Sequence, residues 1–407
     1  MTKLDELIQE LCPDGVQFLR IPELFTTRNG YTPSKANSEF WENGTIPWFR
    51  MEDIRANGRI LTEATQCVSK KAVKGRVFPE NSIIVATSAT IGEHALIKVP
   101  SLANQRFTYL VLKDEFKSSV DMMFIFYYCF KLDEYCKIHL NQGNFASVDM
   151  KQFAEFYFPV PPLPVQREIV RILDNFTELT AELTAELTAR KQQYAYYRDK
   201  LLTPRTDYRH GKIIDMLKQP ITDGPHTTPE LMEDGIPFLS VEAVFDGKIH
   251  FEKRRGNITP EFDAECCKKY KPQKHDIFMV KSGSTTGKVG YVDTDERFNI
   301  WSPLAAMRVN SENSSRYLFH LLQSKMVQQQ VVAKASHGSQ PNLSMRALEQ
   351  FDVVIPPLDI QLRLANVLDN FDAICTDLNI GLPAEIEARK KQYEYYRDKL
   401  LTFTPAD

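Results

Sequence analysis

Residues 189–203 read ARKQQYAYYRDKLLT, and residues 388–402 read ARKKQYEYYRDKLLT. Thirteen of the fifteen positions are identical, at an offset of 199. A similarity that close within one chain marks an internal repeat, and repeats decide architecture before any local propensity does. Upstream, FYFPVPPLPVQREIVRILDNF (156–176) aligns with FDVVIPPLDIQLRLANVLDNF (351–371) at an offset of 195, with nine of 21 positions identical. The same offset sets Gly143 against Gly338, Gly92 against Gly287 and Asn104 against Asn299. Further back the match needs gaps, but GTIPWF (44–49) still resembles DGIPFL (234–239). The 407 residues are therefore two copies of a unit of about 200 residues. Each is a variable globular part followed by a near-identical helical part.

This pattern divides the chain into five segments. They are an N-terminal segment (1–25), a first globular part (26–158), a central helical part (159–205), a second globular part (206–352) and a distal helical part (353–407). Short β-rich runs such as NSIIVATSAT, FTYLVL, DIFMVKS and LAAMRV, bounded by Gly, Pro and Asn, give the globular parts mixed α/β character. Each ends in a helical stretch, at about 120–140 and 315–335, and then a Gly-containing loop. The aromatic stripe Phe124, Phe126, Tyr127, Tyr128 and Phe130 reads as core. The helical parts begin after proline clusters, which suit a helix start and not its interior. No Pro or Gly intervenes from Val165 to Leu202, and apolar residues recur with helical period. Copy two is interrupted at Asn379, Gly381 and Pro383, which predicts a break. The fold class is α+β, with two globular parts joined by two long helices that pack antiparallel as a coiled-coil spacer.

Within the first helix, TELTAELTAELTAR (177–190) repeats Thr-Ala-Glu-Leu every four residues, with Leu179, Leu183 and Leu187 on one face. One tetrad adds about 6 Å of helix, against about 3.4 Å per base pair of duplex DNA. The tract has the arithmetic of a ruler.

The formal net charge is −3, which taken alone argues against a simple polycationic DNA binder. Two stretches are nonetheless basic: Arg50–Arg76 has seven Lys/Arg against three acids, and Lys248–Lys274 has eight against four. The seven cysteines contain no C-x-x-C pair, so neither a disulfide framework nor a zinc site is indicated. No apolar run approaches a membrane span, and the polar N-terminus does not read as a secretory signal, so a cytoplasmic location is expected. In SGSTTGKVG (282–290) the glycines are too close for a Walker A motif, and Val289 follows Lys288 where Ser/Thr is needed. No N-P-P-Y/F, G-x-G-x-x-G, H-E-x-x-H or G-x-S-x-G motif occurs. His94, His226, His275 and His337 are scattered and read as surface or loop residues.

Two dissimilar globular parts, each followed by a matching helix, with TAEL tetrads in the first, resemble the specificity subunit of Type I restriction-modification systems, type IC in particular. YTPSK (31–35) and EFWENGTIPW (39–48) are similar to the start of a target-recognition domain of that family. Copy two departs there, with DGPHTTP (223–229) and DGIPF (234–238) and no Phe-Trp pair, which implies a different target. The resemblance implies a non-catalytic subunit that reads an asymmetric, bipartite site on double-stranded DNA. It implies docking of two modification (methyltransferase) subunits for adenine methylation, and through them of restriction subunits. S-adenosylmethionine, ATP and Mg would reside on those partners, with no metal or cofactor on this chain and no membrane association.

The candidate DNA contacts are the hydroxyl-bearing turns and amide-bearing loops. They are Thr87, Ser88, Thr90, Gln142 and Asn144 in copy one, and Lys281, Ser284, Thr285, Thr286, Lys288, Ser339, Gln340 and Asn342 in copy two. Hydroxyls and lysines suit phosphate, and amides can bond adenine bidentately; the same residue types also form turns for their own backbone. Two other readings stay open: a coiled-coil adaptor without DNA specificity, and the reader portion of a fused restriction-methylation enzyme.

Overall fold

The computed structural model describes residues 2–141, 146–203, 207–336, 340–376 and 381–406. The chain is an α+β protein of two compact units, one made of residues 1–180 with 389–407, the other of 181–388. No helix among the described residues is long and apolar enough to cross a membrane.

In the first unit the strands are β1 (Phe25–Asn29), β2 (Ile46–Phe49), β3 (Ser82–Ala86), β4 (His94–Ile97), β5 (Leu102–Ala103) and β6 (Phe107–Leu112). The main sheet has the order β1-β6-β3-β4, with the short strand Ile60–Leu61 beyond β4. A second, three-stranded sheet sets β2 between Cys67–Val68 and β5, antiparallel to the former and parallel to the latter. The apolar runs of β3 and β6 are continuous because both faces of the main sheet are covered. Ile83, Val85, Leu96, Leu110 and Leu112 face one core. Ile84, Ala86, Ala95, Ile97, Phe107 and Tyr109 face the other, in the two-residue alternation of a strand. Helix α1 (Met122–Ile138) covers the first face, and Phe124, Phe126, Tyr127 and Tyr128 are buried there as core.

The second unit repeats the plan. Its strands are β7 (Thr222–Asp223), β8 (Ile236–Leu239), β9 (Ile277–Val280), β10 (Val289–Tyr291), β11 (Asn299–Ile300) and β12 (Leu304–Met307). The main sheet runs β7-β12-β9-β10, and β8 lies between Gly256–Ile258 and β11 with the same antiparallel and parallel pairings. Hydrogen bonding corrects the alignment of Asn104 with Asn299. The Asn104 amide donates to Phe49 and the Trp301 amide to Leu239, so Asn104 corresponds to Trp301. The second copy carries two extra residues ahead of β11. The helix expected over 315–335 is two helices, Ser315–Leu322 and Lys325–Lys334. Ser324 divides them: its hydroxyl oxygen caps the Val327 amide, a stop that neither Pro nor Gly announces.

The helical parts are α2 (Leu163–Leu201) and, in copy two, Leu358–Thr376 followed by Leu382–Leu400. The break expected around 379–383 falls between these last two, and Asn379 lies outside the described residues. Gln166 and Gln361, paired by the offset of 195, are buried and play one role. The Gln166 Oε1 accepts from the Asp121 amide at 2.8 Å, and its Nε2 donates to the carbonyls of Ser119 and Pro161. The Gln361 Oε1 accepts from the Ser314 amide at 2.9 Å, and its Nε2 donates to Asn313 Oδ1 and the Pro356 carbonyl. Each glutamine ties the start of a long helix to the cap of the helix packed on its sheet.

The repeated helix ends are exchanged. Residues 389–400 belong to the first unit and 189–201 to the second. The Phe176 ring stacks on Tyr396 at 5.5 Å, and its counterpart Phe371 stacks on Tyr197 at 5.8 Å. Each unit thus pairs the start of one helical part with the repeated end of the other. The expected single buried stripe on α2 is interrupted: Leu179 is 45% exposed, while Leu183 and Leu187 are half-buried.

Candidate nucleic-acid interface

Strand register brings four loops to one edge of each main sheet. In the first unit β1 ends at Asn29 opposite Thr108, β3 ends at Ala86 opposite Phe107, and β4 begins at His94 opposite Val85. The loops at this edge are 30–37, 87–93 and 104–106. The fourth, around 146–148, is zipped on by a Ser88–Ser147 bridge and by the Val148 amide donating to the Thr87 carbonyl at 2.9 Å. In the second unit β7 ends at Asp223 opposite Ala305, and β9 ends at Val280 opposite Leu304. The loop after β7, the turn 281–288, the loop 301–303 and the segment 340–343 meet there. The Ser282–Asn342 bridge and the Leu343 amide, which donates to Lys281 at 2.7 Å, repeat the zipper.

The expected contact residues divide on this frame. Ser284, Lys288, Gln340 and Asn342 are exposed, and Ser88, Thr90 and Thr285 are half-buried at the edge. Three expectations need correction. Thr87 follows a strand buried on both faces and points inward, its hydroxyl 2.9 Å from that of Thr108. The Thr108 hydroxyl in turn donates to Asn29 Oδ1. The Thr286 hydroxyl donates to the Gly283 carbonyl at 2.7 Å and so closes its own turn. Lys281, the structural counterpart of Thr87, is mostly covered and lies 3.2 Å from the buried Asp223 carboxylate, which Lys269 also engages. Where one unit has a neutral Asn29–Thr108–Thr87 chain, the other has an ion-paired Asp223–Lys281 floor. Gln142, Asn144 and Ser339 lie outside the described residues.

Sequence reasoning missed the loop 104–106, whose exposed Arg106 adjoins Thr87: the Thr87 amide donates to the Arg106 carbonyl at 2.9 Å. No repeat signal could reveal it, because its counterpart is Pro303. The Phe-Trp motif has a structural job at the same edge. The Trp41 indole N–H donates to the Ser34 carbonyl and the Trp48 indole N–H to the Tyr31 carbonyl, each at 3.0 Å, pinning the loop after β1. The second unit has neither indole there. Instead the Arg255 guanidinium lies 3.8 Å over the Trp301 ring. The basic stretches are partly consumed internally: Arg59 pairs with Asp133, Lys71 with Glu39 and Lys269 with Asp223.

Two histidines belong to the inner packing, and for His94 this corrects the surface reading. His94 is fully buried in β4, its Nδ1 2.7 Å from Asp133 Oδ2. His320 is buried with Nε2 2.6 Å from Asp369 Oδ1 and Nδ1 2.9 Å from the Tyr194 hydroxyl. A neutral ring satisfies both neighbours, with Nε2–H donating to Asp369 and the Tyr194 hydroxyl donating to Nδ1. Burial lowers the pKa of both histidines, against the opposing pull of their carboxylates. His226 and His275 are exposed, and His337 lies outside the described residues. Among the described residues no group of three or more His, Cys, Asp or Glu could hold a metal.

The chain is thus built twice over, with one loop-bearing sheet edge per copy and different side chains on each. The comparison with known proteins gives the family. The model of the Type I restriction modification DNA specificity domain matches residues 13–190 and 225–388, and the chain belongs to this family. It is 40% identical over 398 residues to the Type I restriction enzyme EcoprrI specificity subunit of Escherichia coli, covering 93% of each chain. It is 34% identical over 251 residues to the EcoR124I/EcoR124II specificity subunit of the same organism, covering 60% of this chain and 61% of that one. A chain from a solved type I R-M system, described in terms of complex assembly and conformational transition, shares the fold. Its TM-score is 0.64 at 15% identity, with 96% of this chain and 98% of that chain covered. The chain is a DNA sequence-specificity subunit.

Proposed function

We propose that each four-loop edge reads one half of an asymmetric, bipartite site on double-stranded DNA, with residues 26–158 and 206–352 as the two target-recognition domains. The observation that carries this reading is the same edge made twice from the same register, with different exposed side chains: Asn29 and Arg106 in one, Ser284, Lys288, Gln340 and Asn342 in the other. One scaffold with two side-chain sets suits two different half-sites. Gln340, Asn342, Ser284 and Lys288 supply amide, hydroxyl and ammonium groups of the kinds that contact base edges and phosphate.

The exchanged helix ends are the proposed docking surfaces for two modification subunits. Tyr196 and Tyr395 occupy equivalent positions and are 61% and 63% exposed. Nearly identical exposed surfaces suit the same partner bound twice. Restriction subunits join through that complex. Adenine methylation from S-adenosylmethionine, and ATP- and Mg-dependent steps, belong to those partners, and this chain supplies the address. Exchanging residues 26–158 for the corresponding domain of another family member tests the assignment. The methylated motif should change in one half only. A change in both halves, or in neither, contradicts it.

A further inference from the structure

The loop Asn104–Gln105–Arg106 is tied down by hydrogen bonds of its own. The Asn104 carbonyl accepts from the Phe107 amide at 3.2 Å, and the Asn104 Oδ1 accepts from the Arg106 amide at 3.0 Å, closing a turn. The Asn104 amide is tied to Phe49. Gly30 packs against this turn so closely that a Cβ there would stand 2.2 Å from the Asn104 carbonyl oxygen. The Gln105 Oε1 accepts from the Thr32 hydroxyl, leaving its amide NH2 free to donate. Arg106 leaves this turn exposed. Among the described residues its guanidinium has no hydrogen-bond, ion-pair or ring partner. Preorganisation of this kind lowers the ordering cost of a contact.

Place distinguishes Arg106 from other surface arginines. Its carbonyl holds the Thr87 amide, so it borders the turn that bears Ser88 and Thr90. In the second unit Pro303 makes the same bond to Lys281 and offers no side-chain donor. A planar guanidinium fork matches O6 and N7 of guanine in the major groove, the commonest specific arginine contact. We propose that Arg106 is a specificity-determining residue that reads a guanine in the half-site recognised by the first unit. The proposal rests on the reading that this edge faces DNA.

The test uses the full complex with its modification subunits and a plasmid library randomised across the site. Arg106→Lys keeps the charge and loses the fork, and Arg106→Ala loses both. Preference for guanine at one position of one half-site should fall about ten- to hundredfold in both variants, with the other half-site unchanged. Uniform weakening on every sequence would make Arg106 a phosphate contact and overturn the proposal, as would an unchanged motif. If exchanging residues 26–158 leaves that half-site unchanged, the reading of the edge itself fails, which is a different result.

Discussion

Deleting Thr184–Leu187 from α2 is the perturbation whose outcome can be calculated most fully. The tract repeats every four residues, so the deletion puts a residue of the same kind at each later position of the tract and leaves the helical pattern intact. α2 is unbroken over 39 residues, about 58 Å at 1.5 Å per residue. Removing four residues shortens it by about 6 Å and turns the rest of the helix by about 40°, since each residue contributes about 100°. At about 3.4 Å per base pair, 6 Å is between one and two base pairs. Half-burial of Leu183 and Leu187 keeps the stability cost small. The assay is methylation mapping of cells carrying the deleted chain with its partners. Both half-site sequences should persist, with the unread gap shorter by one or two base pairs. A change in either half-site, or an unchanged gap, would refute the ruler.

The paired glutamines should be structural anchors. Gln166→Glu or Gln361→Glu keeps the accepting oxygen and sets an oxygen against two acceptors, so each should cost about 3 kcal/mol in urea unfolding of the chain. A loss below about 0.5 kcal/mol would contradict the anchoring role. The buried histidines set a pH response. Their folded pKa lies below the unfolded value of about 6.5, so the stabilisation is present above that pH. It declines by about 1.4 kcal/mol per pH unit for each histidine as pH falls from the unfolded towards the folded pKa. His320→Gln should flatten its share of the slope between pH 7 and 5. An unchanged slope would show that His320 is not neutral in the folded chain.

Much of this organisation is legible in sequence because it is written twice. The twin helix ends and the Gly92 and Gly287 turns mark structural equivalents. What the repeat could not give was the partner of each piece. Identical helix ends do not say that 389–400 packs in the first unit and 189–201 in the second. That is settled by long-range contacts such as Phe176 on Tyr396. Thr87 looked like a loop hydroxyl, but the strand before it is buried on both faces and its side chain continues that packing. Lys281 looked free because its counter-ion, Asp223, lies 58 positions earlier, across the sheet. Asn104 was set against Asn299 by a constant offset, and the longer approach to β11 shifted the true equivalent to Trp301. Gln166 and Gln361 carried a signal, identity at the offset, that their polarity within an amphipathic helix disguised.

Whether this chain alone sets the address for methylation is decided by mapping adenine methylation across a genome with and without its gene while the partner subunits are expressed. Without the gene, methylation should disappear from one asymmetric motif of two half-sites separated by an unread gap, and from no other. An unchanged methylation pattern would contradict that role.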